Sequence, residues 1–171
     1  MEPDVIRLVE ELKQGSRQAS FALHDYVRER SEEDHSSLVP AFSEGLLDLE
    51  TRDGCAFALE CIGAQAKAAI PNLVTALQHD PDNWVISPFA RALGAIGSDA
   101  ESAIPAIIEM PQVVEDSLDT PELIEALVNI GISSPEVMAA LERVSKVGFT
   151  EEIRTAAGNG MTVLRDQQEQ N

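Results

Sequence analysis

Three copies of one six-residue pattern constrain this chain more than any other feature. Residues 58–63 read Ala-Leu-Glu-Cys-Ile-Gly, residues 92–97 read Ala-Leu-Gly-Ala-Ile-Gly, and residues 126–131 read Ala-Leu-Val-Asn-Ile-Gly, so successive copies start 34 residues apart. The first two copies are each followed by Ala-Ile-Pro, at 69–71 and 103–105. A period in the range of about 20–50 residues is typical of solenoids, in which one supersecondary unit is stacked on copies of itself.

Each copy has the pattern expected of a helix followed by a stop. Its Ala, Leu and Ile stand at i, i+1 and i+4, which lie on one helical face. The Gly suits a C-cap with positive φ, and the Pro of Ala-Ile-Pro suits the first turn of a second helix. One unit is therefore predicted to be a helix, a Gly stop, a second helix and a connection. We expect equivalent buried positions at Leu59, Leu93 and Leu127, and at Ile62, Ile96 and Ile130.

Three stretches carry a resemblance to a known family. They are Leu-Gly-Ala-Ile-Gly at 93–97, Ala-Ile-Pro at 103–105, and Leu-Gln-His-Asp-Pro-Asp at 77–82. The chain thereby resembles the HEAT-repeat family, and more narrowly its short HEAT-like variant named for phycobilisome lyases. Where those repeats usually continue with Val-Arg, this chain has Val85-Ile86. The resemblance implies an all-α fold, an α-α superhelix or HEAT-like solenoid of about four to five helical hairpins, whose second helices line the concave surface.

The chain is expected to form one domain with three parts. Residues 1–36 are predicted to be a diverged N-terminal helical pair, residues 37–146 the clear repeats, and residues 147–171 a C-terminal capping helix with a polar tail. Terminal repeats are expected to differ from the central ones because they cap the stack. Gly158 and Gly160 are expected to weaken the last helix, since glycine is a poor helix former.

The second helices are predicted from the Ala-Ile-Pro segments and from Ser-Pro-Glu at 134–136. They are expected to run over residues 66–78, 100–110 and 135–146. Their outward positions are mostly polar, so a stacked set of them becomes a candidate binding surface. Asp82 stands in the turn between repeats, and Trp84 stands beside that turn at the repeat junction. Trp84 is expected either to pack over the junction or to be an exposed anchor for a partner, since tryptophan is enriched at interface hot spots. The candidate partner-binding residues are Asn72, Thr75, Gln78, Asp82, Trp84, Glu101, Glu109, Glu136 and Glu142.

The chain is strongly acidic, and its charge is unevenly distributed. It contains 30 Asp and Glu residues against 12 Lys and Arg residues, a formal net charge of −18. Between Ala68 and Glu142, Arg91 is the only Lys or Arg. Such a field repels nucleic acid and anionic membranes and attracts basic surfaces. We therefore expect a basic protein as the partner, with a purely solubilising acidic coat as the alternative interpretation.

No catalytic, cofactor or metal-binding motif is recognisable. His24, His35 and His79 lack the spacing of metal ligands and are expected to be surface or capping residues. Cys55 and Cys61 fall on one predicted helix, too far apart for a disulfide, and are expected to be buried free thiols. Phosphate-binding, dinucleotide-binding and nucleophile-elbow motifs are absent. The sequence predicts a protein that is not an enzyme and that binds no cofactor and no metal.

Two function classes follow from these observations, and the first of them has a general and a specific version. The favoured one is a non-enzymatic protein–protein interaction module whose acidic surface binds a basic partner. A specific version is an immunity or antitoxin-type inhibitor of a basic toxin enzyme. The resemblance also implies a phycobilin-lyase-like subunit that handles a chromophore. No apolar run approaches the ~20 residues of a membrane span, and the N-terminus has no signal-peptide pattern, so a cytoplasmic location is expected.

Overall fold

The computed structural model describes residues 2–79, 86–110, 120–148 and 150–169, and these contain helices and connections but no strand. The α-helices of this part of the chain are α1 (Pro3–Lys13), α2 (Arg17–Glu29), α3 (Val39–Gly45), α4 (Arg52–Ile62), α5 (Ile70–Gln78), α6 (Ser87–Ile96), α7 (Ile104–Glu109), α8 (Thr120–Ile130), α9 (Pro135–Val147) and α10 (Glu151–Glu169). Short 3₁₀ segments precede three of them, at Ser36–Leu38, Gly63–Ala69 and Gly97–Ala103. The prediction of an all-α chain is confirmed.

The helices that carry the Ala-Leu-x-x-Ile-Gly pattern pack against one another in chain order. Helix α4 packs against α2 and α6, and α8 packs against α6 and α10. Helices α3, α5, α7 and α9 make fewer contacts with one another, also in chain order. Each described helix therefore packs mainly against helices near it in the sequence.

The repeated apolar positions form the centre of one continuous hydrophobic core. Leu59, Leu93 and Leu127 are all buried, as predicted. Ile96 and Ile130 are buried as well, whereas Ile62 is only partly buried and packs against the core. Ile62 belongs to the first copy of the pattern, on α4. This copy follows the N-terminal helices, which do not fit the 34-residue spacing.

The glycines at the end of the pattern break the helices at equivalent positions. Gly63, Gly97 and Gly131 have φ of 64°, 77° and 75°. The ψ angles of Gly63 and Gly97 are −133° and −145°, a region that is essentially restricted to glycine. The predicted stop is therefore confirmed, and it uses a conformation that side chains with a Cβ avoid.

The second helices of the first two repeats start later than predicted. The segments Gly63–Ala69 and Gly97–Ala103 are 3₁₀, and the α-helices begin only at Ile70 and Ile104. The cause is the proline at the second position of each helix. The proline has no N–H to donate to the carbonyl four residues earlier, and its ring clashes with that carbonyl. The residues before the proline therefore cannot belong to the same α-helix, and they form 3₁₀ turns instead.

The last helix is longer and more regular than the sequence predicted. Helix α10 runs without a break from Glu151 to Glu169, through both glycines and into the segment expected to be a frayed tail. Gly160 is buried, and a Cβ there would lie 2.8 Å from Cγ2 of Val128. The glycine thus lets α10 approach α8 closely, and this packing outweighs its low helix propensity.

Close approaches of the same kind occur where α4 meets α2 and where α6 meets α8. A Cβ on Gly54 of α4 would meet the hydroxyl and backbone of Ser20 in α2. A Cβ on Gly94 of α6 would lie 3.1 Å from Cα of Ala126 in α8. Small residues therefore allow close contact between α2 and α4, between α6 and α8, and between α8 and α10.

Candidate functional site

The three candidates on α5 do not play the same role in the fold. Thr75 and Gln78 are exposed, and the Thr75 hydroxyl donates a hydrogen bond to the Pro71 carbonyl at 2.9 Å. Asn72 is half-buried, and its Nδ2 donates to the carbonyl of Ser43 at 2.8 Å and lies 3.1 Å from the Ser43 hydroxyl. The amide of Asn72 thus joins α5 to α3, which leaves only part of it for a partner.

The acidic candidates of the later repeats are all exposed. Glu101 lies in the 3₁₀ segment before α7, and Glu109 is the last residue of α7. Glu136 lies in the first turn of α9, where hydrogen bonds from its own backbone N–H and from the Ser134 hydroxyl lower the pKa of its carboxyl. These three carboxylates face water with no cation from the described residues beside them.

The fourth acidic candidate, Glu142, is already paired. Its Oε1 accepts a hydrogen bond from Nζ of Lys146 at 2.6 Å, one turn along α9. This hydrogen bond and the charge of the ammonium group lower the pKa of the Glu142 carboxyl. Arg143 is exposed beside it, so the α9 part of this surface carries both signs of charge. The remaining candidates, Asp82 and Trp84, lie outside the described residues.

A cavity of about 360 Å³, which was not predicted from the sequence, is lined by residues of α2, α4 and α6. We call it the aromatic pocket. The side chains that line it are Phe21, His24, Arg28, Phe57, Glu60, Cys61 and Arg91. The Phe21 and Phe57 rings pack with centroids 6.3 Å apart, and the His24 ring lies 5.8 Å from that of Phe57. Burial lowers the pKa of His24, so the imidazole is held neutral near pH 7 and adds to the apolar wall.

The cationic groups at the aromatic pocket are paired with carboxylates. Arg91 donates from Nε and Nη2 to Oε1 of Glu60, at 3.1 and 2.7 Å, and so joins α6 to α4. Arg28 lies 2.9 Å from Asp25, one turn earlier in α2. The charges around the aromatic pocket therefore compensate one another, and Phe21 and Phe57 give its wall an aromatic part.

A second cavity, of about 110 Å³, opens between α6 and α8. We call it the carboxylate pocket. Its lining residues are Glu60, Arg91, Gly94, Ala95, Glu122, Glu125, Ala126 and Asn129. The single cation of this lining, Arg91, is bound to Glu60. Oε2 of Glu122 is buried and has no hydrogen-bond partner among the described residues.

A signal for these pockets is present in the sequence. The residue before each Ala-Leu-x-x-Ile-Gly copy is Phe57, Arg91 and Glu125 in turn. The buried positions of the copies stay alike, while this outward position changes from aromatic to cationic to anionic. When one position of a repeat changes its type of side chain while the neighbouring positions stay alike, packing in the core does not determine the residue at that position.

The remaining reactive side chains form no additional site among the described residues. His35, predicted to be a surface or capping residue, is buried. Its Nε2 donates to the carbonyl of Arg30, the C-cap residue of α2, at 2.7 Å, and its ring packs edge-on against Tyr26. Cys55 and Cys61 are free thiols, the first buried and the second half-buried. No group of three or more potential metal ligands comes together in the described part of the chain. No described helix combines the length and the apolar character that a membrane crossing requires.

A comparison with protein-family models and with curated proteins finds no match to this chain.

Proposed function

We propose that this protein is a non-enzymatic interaction module, a solenoid of helical hairpins like the short HEAT-like repeats, whose acidic surface binds a basic protein. The observation that carries the proposal is the lack of free cations across the central repeats. Between Ala68 and Glu142 the only Lys or Arg is Arg91, and its guanidinium is bound to Glu60. The exposed carboxylates of Glu101, Glu109, Glu125 and Glu136 therefore act together as a field of one sign.

The packing pattern supports the solenoid part of the proposal. The pattern-bearing helices contact one another in chain order, and so do the second helices. Glycines with positive φ recur at the equivalent positions 63, 97 and 131. Two parallel rows of helices joined by equivalent turns are what a stack of hairpins produces. Small-angle X-ray scattering tests this arrangement, because a stack of hairpins is longer in one dimension than a compact bundle of equal mass.

Binding is tested by capture from the native organism at low salt, followed by measurement of the affinity of the captured protein across a range of salt concentrations. The expected partner carries net positive charge. Its association should slow steeply as ionic strength rises towards physiological values, where the screening length is about 8 Å. If the partner carries net negative charge, or if salt leaves the affinity unchanged, the proposal is wrong and the acidic residues serve only to keep the protein soluble. A captured enzyme that loses activity in the complex would narrow the proposal to an inhibitor.

A further inference from the structure

The aromatic and carboxylate pockets are adjacent parts of one surface. Glu60 and Arg91 line both of them and form the ion pair that separates them. The aromatic pocket lies mainly along α2 and α4 and the carboxylate pocket along α6 and α8, and the Glu60–Arg91 pair is common to both. An extended peptide segment that crosses this ion pair can therefore reach both pockets.

The two pockets differ in charge. At the aromatic pocket, Arg28 is paired with Asp25 and Arg91 with Glu60, at 2.9 and 2.7 Å. At the carboxylate pocket, neither Glu122 nor Glu125 forms an ion pair with a described residue. One pocket is therefore apolar and electrically balanced, and the other carries uncompensated negative charge.

The carboxylate of Glu122 has one oxygen that is buried at the carboxylate pocket. Its Oε2 is buried and has no hydrogen-bond donor among the residues that the structure describes. An unpaired buried carboxylate oxygen is unfavourable, and a charged donor is the partner that stabilises it best. The opening beside it is large enough for an ammonium or guanidinium group, at about 110 Å³.

We propose that these two pockets are the docking site for a segment of the basic partner, with a Lys or Arg side chain in the carboxylate pocket and a neighbouring apolar side chain against Phe21 and Phe57. This inference rests on the proposed function and places its contact on the pattern-bearing helices. A second copy of this chain does not fit the charge of the site, because each copy carries −18 and the two would repel.

The test uses a fluorescein-labelled peptide of alternating arginine and phenylalanine, with fluorescence anisotropy at low salt as the readout. The binding variant is Glu122→Gln with Glu125→Gln, which removes two charges and keeps the side-chain shape. Its matched control is Glu101→Gln with Glu109→Gln, which removes the same charge from two exposed positions, one in the 3₁₀ segment before α7 and one at the end of α7. Melting temperatures of both variants establish that they fold.

We expect the first pair of changes to weaken binding by about tenfold or more, and the control pair by less than about threefold, because a close charge pair contributes more than the distant field. Arg91→Gln should act in the opposite direction and strengthen binding by a few-fold, because it releases Glu60 from its ion pair. A peptide of alternating arginine and serine should bind more weakly than the phenylalanine peptide, since it leaves the aromatic pocket empty.

Several results would overturn the inference. Equal losses from both pairs of changes would mean that net charge alone attracts the peptide. A loss confined to the control pair would assign binding to the second helices. Absence of binding, or indifference to the exchange of phenylalanine for serine, would remove the two-pocket site. In each case the proposed function is judged separately, by the charge and salt dependence of the captured partner.

Discussion

Leu93 offers the most direct test of the repeat register, because it is the central of three equivalent positions. It is fully buried on α6, which packs against α4 on one side and α8 on the other. Leu93→Ala removes three carbons, which at ~0.8 kcal/mol for each buried carbon amounts to about 2.4 kcal/mol. Helices on both sides limit collapse, so the residual cavity adds up to about 2 kcal/mol. The expected loss in the free energy of unfolding is about 3–4 kcal/mol.

The assay is urea denaturation followed by circular dichroism, with thermal melting as a second measurement. For a chain of this size each kcal/mol lowers the melting temperature by roughly 2–4 °C, so the variant should melt about 6–16 °C below the wild type. The matched control is Leu47→Ala, because Leu47 is 59% exposed and its truncation should change stability by less than about 0.5 kcal/mol. If Leu93→Ala and Leu47→Ala melt alike, the assignment of Leu93 to the shared core of the repeats is wrong.

Three further predictions concern other parts of the chain. Gly54→Ala should destabilise by about 1–3 kcal/mol, because its Cβ would lie 2.9 Å from backbone carbon in α2. A Cβ at Gly158 would meet nothing within 4 Å, so Gly158→Ala should stabilise the folded protein by about 0.5–1 kcal/mol. Thermal melting of the two variants against the wild type measures both effects. An aromatic disulfide reagent should label Cys61 first in the folded protein, since burial raises the pKa of the Cys55 thiol to about 12; mass spectrometry identifies the modified residue. NMR titration should give the Glu142 carboxyl a pKa below its ordinary value. The Glu142–Lys146 pair therefore stabilises the folded protein at pH values above the ordinary pKa of glutamate, and this stabilisation is lost as the pH falls through the lowered pKa.

The buried face of the repeats was predictable because local rules determine it. Leu59, Leu93 and Leu127 follow the helical period, and positions 63 and 97 require a residue without Cβ. The same rules failed where a tertiary contact outweighs propensity. Gly160 was expected to weaken α10, yet its contact with Val128 in α8 favours the helix.

The candidate site was less predictable, because it depends on the spaces between helices. Sequence patterning separates outward from inward positions, but it does not show which outward positions line a cavity. The Glu60–Arg91 pair joins residues 31 positions apart on two helices, and no helical rule links them. The exposed positions of the second helices remain a predicted surface, and the peptide comparison decides between them and the two pockets.

The packing of each helix against helices near it in the sequence has a consequence for how the chain folds and opens. Extensive contacts join α2 with α4, α4 with α6, and α6 with α8, each about one repeat apart, and α9 with the adjacent α10. A low mean separation between contacting residues favours rapid folding, and structure can spread from any repeat to its neighbour. Opening should likewise begin at the two ends, where a helix has a neighbour on one side only. Hydrogen exchange should therefore be slowest in α6 and become faster towards α1 and α10.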